Sequence, residues 1–402
     1  MSGNMEKVLR LLVQRQASDL YLSSGAPVQF KIHGTTVPMS EQQLSAAQVR
    51  SLLSEVVAAD GMTELDGSGE LNVGVQVQGA GLFRLSAFRQ SGSIAAVLRF
   101  IPSDIPTLSD LGLPATLEGL ILERRGLVLM VGATGTGKST TLAAMLEHRN
   151  RNLSGHILTI EDPVEFQFTH KKSVVNQREV GRDTASLHVA LRNALRQAPD
   201  VILIGEIRDR ETMSAALSYA LSGHLVVATL HANNSYHALG RILSLYPADG
   251  RTALLSDLAA GLKAVVAQRL LRSTTGGRVP AVEVMMNTKF VGELIERGDF
   301  NGVRDAMEKS MTPGSQTFEQ DLARMVLAGQ VSRDEALQQA DSASNLMWRL
   351  QHDSPGAAGA VPAPAGSAAK DRPDTNPSHP GPASAAPSTS GARPPQFPEL
   401  SG

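Results

Sequence analysis

Residues 132–139 read Gly-Ala-Thr-Gly-Thr-Gly-Lys-Ser, and this stretch decides the fold of the chain. It matches the pattern G-x-x-x-x-G-K-[ST], in which glycines let backbone N–H groups turn inward around phosphate oxygens. Such a loop has to follow a strand and open a helix whose N-terminus faces the phosphates. The apolar run 126–131 and the helix-forming run 139–148 supply both flanks. We therefore predict a nucleotide-binding α/β domain rather than a chance glycine-rich turn.

The individual residues of this phosphate loop have expected roles. Lys138 supplies a mobile cation for the outer phosphates, and Ser139 offers its hydroxyl to a magnesium ion. On the pattern alone, the ligand is ATP or GTP. The residues expected to bind it are Gly132, Ala133, Thr134, Gly135, Thr136, Gly137, Lys138, Ser139 and Thr140.

Composition narrows the class of protein. The chain has 402 residues, of which 42% are hydrophobic, so two or three domains with real cores are expected. The net charge of -2 gives no reason to expect nucleic acid as the main partner. There is no cysteine, which excludes disulfides and fits a reducing compartment. No apolar run approaches the ~20 residues of a membrane helix, and the N-terminus lacks a signal-peptide core. We expect a cytoplasmic protein without direct membrane insertion, which another protein could hold at a membrane.

The order of patterns predicts three parts and a tail. Residues 1–102 alternate like short strands at 17–23, 29–33 and 71–100, with a helix at 44–59, and predict a small α+β domain. Residues 103–350 predict a second domain, in which apolar runs separated by helical stretches indicate a parallel sheet covered on both faces. These runs are Leu127–Val131, His156–Ile160, Val201–Ile204 and Leu225–Leu230.

The last part of the second domain, about 248–350, is predicted to be helical. Leu254, Leu258, Leu262, Val265 and Val266 are spaced as one helical face, and further helices are expected at 289–297, 303–309, 318–328 and 332–340. Residues 351–402 are rich in Pro, Ala, Gly and Ser, and cannot offset their ordering entropy by burial. We predict a disordered tail there, a solvated extension more readily than an interaction segment.

Acidic residues follow two of the predicted strands. Glu206 is the first acid after the run 201–204, where phosphate-loop NTPases place a carboxylate beside the metal and the attacking water. The alternative is that Glu206 only caps the next helix. Glu161 and Asp162 end the run at 156–160, where a parallel strand delivers side chains to the ligand crevice. Pro163 stops that strand and fixes the turn.

Histidines and arginines complete the candidate site. His231 ends the strand at 225–230 and could sense the γ-phosphate, whereas His224 at its start follows a glycine and is expected to be structural. Arg84, Arg89 and Arg99 lie in the predicted hairpins of the first domain. Three arginines there suggest an anionic target, and an arginine reaching a neighbour's nucleotide would stabilise charge in the transition state.

Together these motifs resemble the secretion and type IV pilus motor ATPases. The phosphate loop, the acidic box 159–165, the segment Gly-Glu-Ile-Arg-Asp at 205–209 and the histidine box 229–233 occur in that family's order and spacing. The segments 17–23 and 176–179 also match. The resemblance covers nearly everything except the tail.

Within the family the chain resembles the pilus retraction branch. It lacks the four-cysteine module and the longer N-terminal region of the assembly and secretion branch. The segments 198–213 and 229–234 are similar to the PilU type rather than the PilT type. The helix Phe-Val-Gly-Glu-Leu-Ile-Glu-Arg at 290–297 lacks the Ala-Ile-Arg-Asn-Leu-Ile-Arg pattern that resembles the retraction signature of PilT. The resemblance therefore implies a PilU-like accessory motor.

The resemblance also implies an assembly and a site. It implies a homo-hexamer that binds ATP with Mg²⁺ between subunits, with a PAS-like first domain packed on a neighbour's RecA-like domain. Arg84, Arg89 and Arg99 would approach the nucleotide. Glu206 would activate water, Glu161 would assist at the metal or the water, and His231 would couple the phosphate state to domain rotation. Ser139, Glu161 and Glu206 form the expected metal set.

The implied partners are an inner-membrane pilus platform protein, which places the motor peripherally at that membrane, and a PilT-like ATPase. Three other functions remain open from the sequence. One is a pilus-assembly or type II secretion ATPase, which the missing cysteine module disfavours. Another is a ring subunit that binds ATP but has a mainly structural role. The third is a nucleic-acid motor, which the charge and the absence of a basic, aromatic-rich groove disfavour.

Overall fold

Two β-sheets organise the chain in the computed structural model, which describes residues 3–32, 34–102, 104–309 and 313–352. The elements of the first part are α1 (Asn4–Gln14), β1 (Ala17–Leu22), β2 (Pro27–Ile32), β3 (Thr35–Gln43), α2 (Ala46–Ser54), α3 (Ala59–Ser68), β4 (Glu70–Val77), β5 (Gly81–Gln90) and β6 (Ser93–Ile101). Its antiparallel sheet has the order β3-β2-β1-β6-β5-β4 in the described residues. The predicted α+β character of this part is confirmed.

One face of the first sheet is covered by its helices. The core between them contains Met5 and Leu9 of α1, Leu53 of α2 and the strand residues Phe30 and Phe83, all with almost no exposed surface. Burial of this apolar area, worth about 25 cal/mol per Å², holds the helices on the sheet. Strand β3 was not expected from the sequence, because it is a polar edge strand without apolar alternation.

The second part begins with α4 (Thr116–Leu122), β7 (Gly126–Val131), α5 (Lys138–Asn152), β8 (Gly155–Glu161), β9 (Ser173–Glu179), α6 (Leu187–Ala194), β10 (Val201–Ile204), α7 (Arg210–Leu221), β11 (Leu225–Leu230) and α8 (Ser235–Ser244). It continues with α9 (Arg251–Gly261), β12 (Leu262–Arg272), β13 (Arg278–Met286), α10 (Lys289–Glu296), α11 (Phe300–Lys309), α12 (Phe318–Leu327), α13 (Arg333–Gln339) and α14 (Ala343–His352). The four strands predicted for this domain are present as β7, β8, β10 and β11.

The second sheet has the order β13-β12-β7-β11-β10-β8-β9 in the described residues. All neighbouring strands are parallel except β12 and β13, which form an antiparallel hairpin. Every residue of β7 is buried, as expected for a parallel strand with both faces covered. The carboxyl ends of β7, β8, β10 and β11 lie at one edge of this sheet, and that edge carries the motifs.

The prediction of a wholly helical segment at 248–350 is wrong for residues 262–286, which form β12 and β13. The helix α9 ends at Gly261, so Leu262, Val265 and Val266 do not continue its face. Seven of the eleven positions of β12 are buried, including all of Ala264 to Gln268, because the strand pairs with β7 inside the sheet. A short, fully buried apolar run has no period of its own and reads equally well as helix or strand.

The four later helices predicted from the sequence are confirmed as α10 to α13, and α14 extends the domain to His352. The predicted tail at 351–402 therefore starts inside α14 for its first two residues. Its remaining residues, 353–402, lie outside the described residues. None of the helices in the described ranges is long and apolar enough to cross a membrane.

Candidate functional site

The phosphate loop connects β7 to α5, as the sequence predicts. Lys138 is the first residue of α5, so Lys138 and Ser139 lie in the first turn, where backbone N–H groups have no partner inside the helix. The macrodipole of α5 adds partial positive charge at the same point. The loop thus offers an anion-binding end of a helix at the carboxyl edge of the sheet.

Two glycines of the loop are required by close contacts. A Cβ atom at Gly132 would lie 2.6 Å from the carbonyl oxygen of Gln268, and one at Gly137 would lie 2.9 Å from its side-chain nitrogen. Gly137 also has φ of +87°, in the left-handed region that favours glycine. The loop therefore packs closely against β12, in addition to following β7 in the chain.

The Lys138 side chain lies on the loop itself. Its Nζ donates hydrogen bonds to the carbonyl oxygens of Gly132 and Ala133, each at 2.9 Å. Burial lowers the pKa of Lys138 below its ordinary value, and the negative charges of Glu206 and Glu165 partly oppose this. The cation also faces carboxylates. Its partial desolvation strengthens its interaction with an anion brought into the same space.

A cavity of about 810 Å³ lies beside the loop. Its lining includes Thr134, Gly135, Gly137, Lys138, Ser139, Thr140, Glu161, Asp162, Glu165, Glu206, Arg208, Asp209, Thr229, His231 and Arg278. The acidic box, the acid after β10 and the histidine after β11 therefore meet the phosphate loop in one space. Its volume is in the range of small-molecule binding sites.

The other predicted loop residues face a second cavity. Gly132, Ala133 and Thr136 line a space of about 540 Å³, to which Thr134 and Gly135 also contribute. The loop therefore separates two cavities, and only part of it borders the acidic side chains.

Glu206 is held by two basic side chains at the end of β10. Arg208 donates from Nε to Glu206 Oε2 at 2.7 Å, and Nε2 of His231 lies 3.1 Å from Glu206 Oε1. Glu206 does not cap the next helix, because Asp209 does so by accepting from the backbone N–H of Thr212 at 2.8 Å. The carboxylate of Glu206 is thus oriented in the cavity rather than used in local structure.

Glu161 ends β8 and is also oriented by neighbours. Its Oε1 accepts a hydrogen bond from the Thr159 hydroxyl at 2.6 Å and from the Gln177 amide at 3.2 Å. Burial raises the pKa of Glu161 above that of an ordinary glutamate, and the nearby charge of Glu165 acts in the same direction. The two hydrogen bonds act the other way. Asp162 lines the cavity next to it.

The two histidines lie in different surroundings. His231 lines the large cavity with about half of its side chain exposed. His224 does not line it, and its backbone N–H donates to the carbonyl oxygen of Tyr219 at the end of α7. His224 therefore belongs to the turn between α7 and β11.

The three arginines of the first domain lie in different surroundings. Arg99 pairs with the buried carboxylate of Asp19 at 2.7 Å, and Arg89 donates to the backbone carbonyl of Asp66 at 3.1 Å. Both contacts are internal to the first domain, and neither arginine lines the large cavity. Within one chain, the structure does not bring these two to the phosphate loop.

Arg84 differs from the other two. It is half-buried, and the charges of Glu179, Glu165 and Asp162 in the second domain act on it. Burial lowers the pKa of Arg84, which those acids partly oppose. Its buried Nε has no hydrogen-bond partner among the described residues. Since Glu165 and Asp162 line the large cavity, Arg84 is the arginine of the three that faces the acidic box.

The sequence did not indicate several residues that support this site. Gln268 contacts the loop from β12, Arg208 holds Glu206, and Gln177 holds Glu161. Arg208 and Gln177 stand inside segments already singled out, so a signal existed for them. Gln268 lies in the run that was taken for a helix, and no local pattern marks it.

The chain is similar to known proteins over most of its length. Residues 3–338 match the family described as Type II/IV secretion system protein. The chain is 45% identical over 347 residues to the type IV pilus ATPase PilU of Pseudomonas aeruginosa, covering 86% of this chain and 91% of that protein. It is 37% identical to the type IV pilus retraction ATPase PilT of the same organism, covering 85% of this chain and all of that one.

The fold is similar to solved structures as well. A crystal structure of the pilus retraction motor PilT with bound ADP superposes with a TM-score of 0.80 at 36% identity, covering 85% of this chain and 98% of that one. The likeness confirms the predicted fold class, a RecA-like α/β domain preceded by a PAS-like α+β domain. It also confirms that the chain is an ATPase that uses a nucleotide.

Proposed function

The chain belongs to the Type II/IV secretion system protein family, and from that premise we propose a hexameric motor of the type IV pilus that hydrolyses ATP to drive or assist retraction. It is a PilU-like member of the PilT/PilU retraction ATPases. The observation that carries the proposal is the convergence of Lys138, Ser139, Glu161, Glu206 and His231 on one cavity.

The phosphates of ATP would be held by the loop and the first turn of α5. The N–H groups of this turn and the dipole of α5 favour the anion. Lys138 would exchange its bonds to the carbonyls of Gly132 and Ala133 for bonds to the outer phosphates. Because it is partly desolvated, its charge would act on the transferred phosphoryl group more strongly than in bulk water.

The attacking water would be oriented by Glu206. Arg208 contacts Oε2 of Glu206 through both Nε and a terminal nitrogen, and His231 contacts Oε1, so a lone pair of Oε1 remains for a water. Such placement lowers the barrier by orienting the nucleophile as much as by accepting its proton. Because His231 contacts this carboxylate, loss of the γ-phosphate would be transmitted to the loop that leads from β11 to α8.

The donor set fits Mg²⁺. In the described parts of the chain there is no group of three or more His, Cys, Asp or Glu side chains arranged to hold a metal. Mg²⁺ does not require one, since it keeps several waters and binds through one or two protein oxygens plus substrate phosphates. Ser139, Glu161 and Glu206 would supply those oxygens. The ion would neutralise charge on the phosphoryl oxygens.

We place the arginines of the first domain at the nucleotide of a neighbouring subunit. Arg89 and Arg99 bind groups of their own domain and do not line the cavity beside the loop, and Arg84 faces acids of the second domain. Arginine supplied from a neighbouring subunit stabilises transition-state charge only when the ring is assembled.

A mixing experiment tests this placement. Subunits carrying Lys138→Ala are mixed with subunits carrying Arg84→Ala, Arg89→Ala or Arg99→Ala, and ATPase activity is measured. If the substituted arginine acts across the interface, the mixture regains ATPase activity, because some interfaces then contain an intact loop from one subunit and an intact arginine from the other. Mixing Lys138→Ala with Glu206→Gln is the control, since both residues line the same cavity of one chain and no site is restored. Absence of recovery for all three arginines would contradict the placement.

The motor would act on an inner-membrane platform protein from the cytoplasmic side, as the family resemblance implies, and not on nucleic acid. Release of phosphate contacts would let each first domain rotate as a rigid body. The segment of α10 departs from the PilT pattern, so we propose an accessory role beside a PilT-like ATPase.

A strain experiment tests the accessory role. Twitching motility and phage sensitivity are measured in strains that lack this protein, the PilT-like ATPase or both. We expect this protein alone not to support retraction, and its absence to weaken retraction under load. Full retraction by this protein alone would contradict the accessory role while leaving the motor function in place.

Two other functions make different predictions. A pilus-assembly or secretion ATPase would leave the deletion strain without surface pili, whereas a retraction motor leaves a normal or raised count. A ring subunit with a mainly structural role would support motility equally well with Glu206→Gln in the chromosome. Counting surface pili in the deletion strain and measuring motility with Glu206→Gln therefore distinguish the three functions.

A further inference from the structure

Strand β12 runs past the end of β7 and brings one polar side chain against the phosphate loop. The parallel register pairs Val266 with Met130 and Ala267 with Val131, which is the last residue of β7. The next residue of β12, Gln268, therefore lies beside Gly132, where the loop begins. It is only 3% exposed, which is rare for a glutamine unless both ends of its amide are bonded.

The side-chain amide of Gln268 forms hydrogen bonds to residues on both sides of Lys138 and Ser139 in the sequence. Its Nε2 donates to the carbonyl oxygen of Thr136 at 2.8 Å, and its Oε1 accepts from the hydroxyl of Thr141 at 2.8 Å. Thr136 precedes Lys138 in the loop, and Thr141 lies in the first turns of α5. Only this orientation of the amide gives the Thr136 carbonyl a donor, since a hydroxyl can bond to either end.

Gln268 also lies in close contact with two glycines of the phosphate loop. The carbonyl of Gln268 occupies the space that a Cβ at Gly132 would need, and its side-chain nitrogen does the same at Gly137. The peptide between Thr136 and Gly137 is thus fixed from one side by the amide. A peptide whose carbonyl is fixed also has its N–H direction fixed, because the two groups lie in one plane.

We propose that Gln268 is a positioning residue for nucleotide binding, which fixes the phosphate loop in the orientation that receives the phosphates. This inference rests on the proposed binding of ATP phosphates by the loop. Gln268 does not line the large cavity, so it acts through the loop and not by touching the phosphates from that side. A loop that binds phosphates in the ground state and the transition state alike affects mainly KM.

Three variants of the full-length protein distinguish the contributions of the two hydrogen bonds of the Gln268 amide. Gln268→Met has a similar shape and removes both bonds, and Gln268→Glu keeps the acceptor for Thr141 but places an oxygen against the Thr136 carbonyl. Thr141→Val removes only the bond to Oε1. Ser173→Ala is the matched control, since Ser173 is buried, donates to the carbonyl of Leu153 at 2.6 Å and lies away from the loop.

We expect Gln268→Met and Gln268→Glu to raise the KM for ATP roughly tenfold, the usual effect of leaving one buried group unpaired. The kcat stays within about threefold, and Thr141→Val has a smaller effect. Thr141→Val added to Gln268→Met should change KM little further, because both remove one shared bond. Ser173→Ala should leave KM unchanged even if it lowers the melting temperature.

The result that overturns the inference is a KM within twofold of wild type for Gln268→Glu and Gln268→Met. A KM rise matched by Ser173→Ala would overturn it as well, since that pattern reports general destabilisation. If Gln268→Met does not fold, Gln268→Glu and Thr141→Val still decide the question. Lys138→Ala is measured alongside, because full activity of that variant would instead overturn the proposed role of the loop.

Discussion

The imidazole Nε2 of His231 lies 3.1 Å from Oε1 of Glu206. The two residues follow neighbouring parallel strands, β11 and β10, and each was singled out from its own segment of sequence. The pairing explains why an acid after one strand and a histidine after the next belong to one functional unit. In the proposed ATP site, this contact would change when the γ-phosphate is lost.

Lys138→Ala should abolish ATP hydrolysis. The substitution removes the cation that faces the carboxylates in the cavity, and loss of one group that stabilises transition-state charge costs at least about a hundredfold in kcat. Steady-state phosphate release measures the effect. Lys263→Ala is the control, because Lys263 pairs at the surface with Glu123 and should leave turnover unchanged. Turnover retained by Lys138→Ala would contradict the assignment of the loop.

Glu206→Gln should bind ATP without turning it over. The amide keeps the shape of the side chain but accepts no proton from water, so kcat should fall by roughly two to four orders of magnitude. Nucleotide binding is followed with a fluorescent ATP analogue, and hydrolysis by phosphate release. Glu211→Gln in the first turn of α7 is exposed and serves as the control. Normal hydrolysis by Glu206→Gln would move the base to another residue.

His231→Gln should lower kcat about tenfold and leave the KM for ATP within about threefold. It removes the imidazole from Glu206, whose carboxylate is then held by Arg208 alone, and a less fixed base loses part of the gain from orientation. His224→Gln provides the comparison, since His224 lies outside the cavity. Equal kcat values for wild type and His231→Gln would show that the histidine contact has no part in turnover.

The pH profile of kcat/KM should reflect Glu161. Burial raises the pKa of Glu161, so on acidification this side chain is protonated at a higher pH than an ordinary glutamate. The activity should fall over the same pH range. Thr159→Val removes a hydrogen bond that favours the charged form. The acid limb of the profile should therefore move to still higher pH in this variant. Thr184→Val is the control, because the buried Thr184 donates to the carbonyl oxygen of Ser186 and not to Glu161. An unchanged limb in Thr159→Val would contradict the role of Glu161.

Glu283 should make the folded state less stable as the pH rises. Burial raises its pKa to about 7 from 4.5, so its protonated form is favoured in the native state. This stability is present below pH 4.5 and is lost as the pH rises to 7, up to about 3 kcal/mol. Urea unfolding at pH 5 and pH 8 should show a larger drop for wild type than for Glu283→Gln.

The exposed Glu296→Gln serves as the control for that comparison and should behave like wild type at both pH values. Ser235 donates from its backbone N–H at 2.8 Å and its hydroxyl at 2.7 Å to Glu283, and both bonds favour the ionised form. Parallel pH dependence of wild type and Glu283→Gln would show that Glu283 keeps its ordinary pKa in the fold.

Sequence patterns were reliable where the signal is local. The run before Gly132 and the helix after it were predicted correctly because one strand, one loop and one helix follow each other without interruption. The strands at 201–204 and 225–230 were also found, since short buried runs with polar ends are typical of parallel sheets. The edge strand β3 was missed for the opposite reason, because it is polar and has no apolar face.

The hairpin of β12 and β13 was missed for a different reason. Its leucines and valines match a helical face as well as a buried strand, and the choice depends on β7, which lies far away in the sequence. For the same reason, the proposed role of Gln268 could not be predicted from the sequence. A glutamine gives no local signal, and its bonds to Thr136 and Thr141 exist only once β12 pairs beside the loop.

By itself the sequence determined which residues could carry the chemistry, because the loop, the acids and the histidine each end a recognisable strand. Only the tertiary structure decided which of them meet. The strand order β12-β7-β11-β10-β8 brings Glu206 to His231 and Gln268 to the loop. The first domain, in turn, presents Arg84 to the acidic box and binds Arg89 and Arg99 within itself. Strand order depends on how crossover helices pack on the two faces of the sheet, and that is a property of the whole chain rather than of any segment.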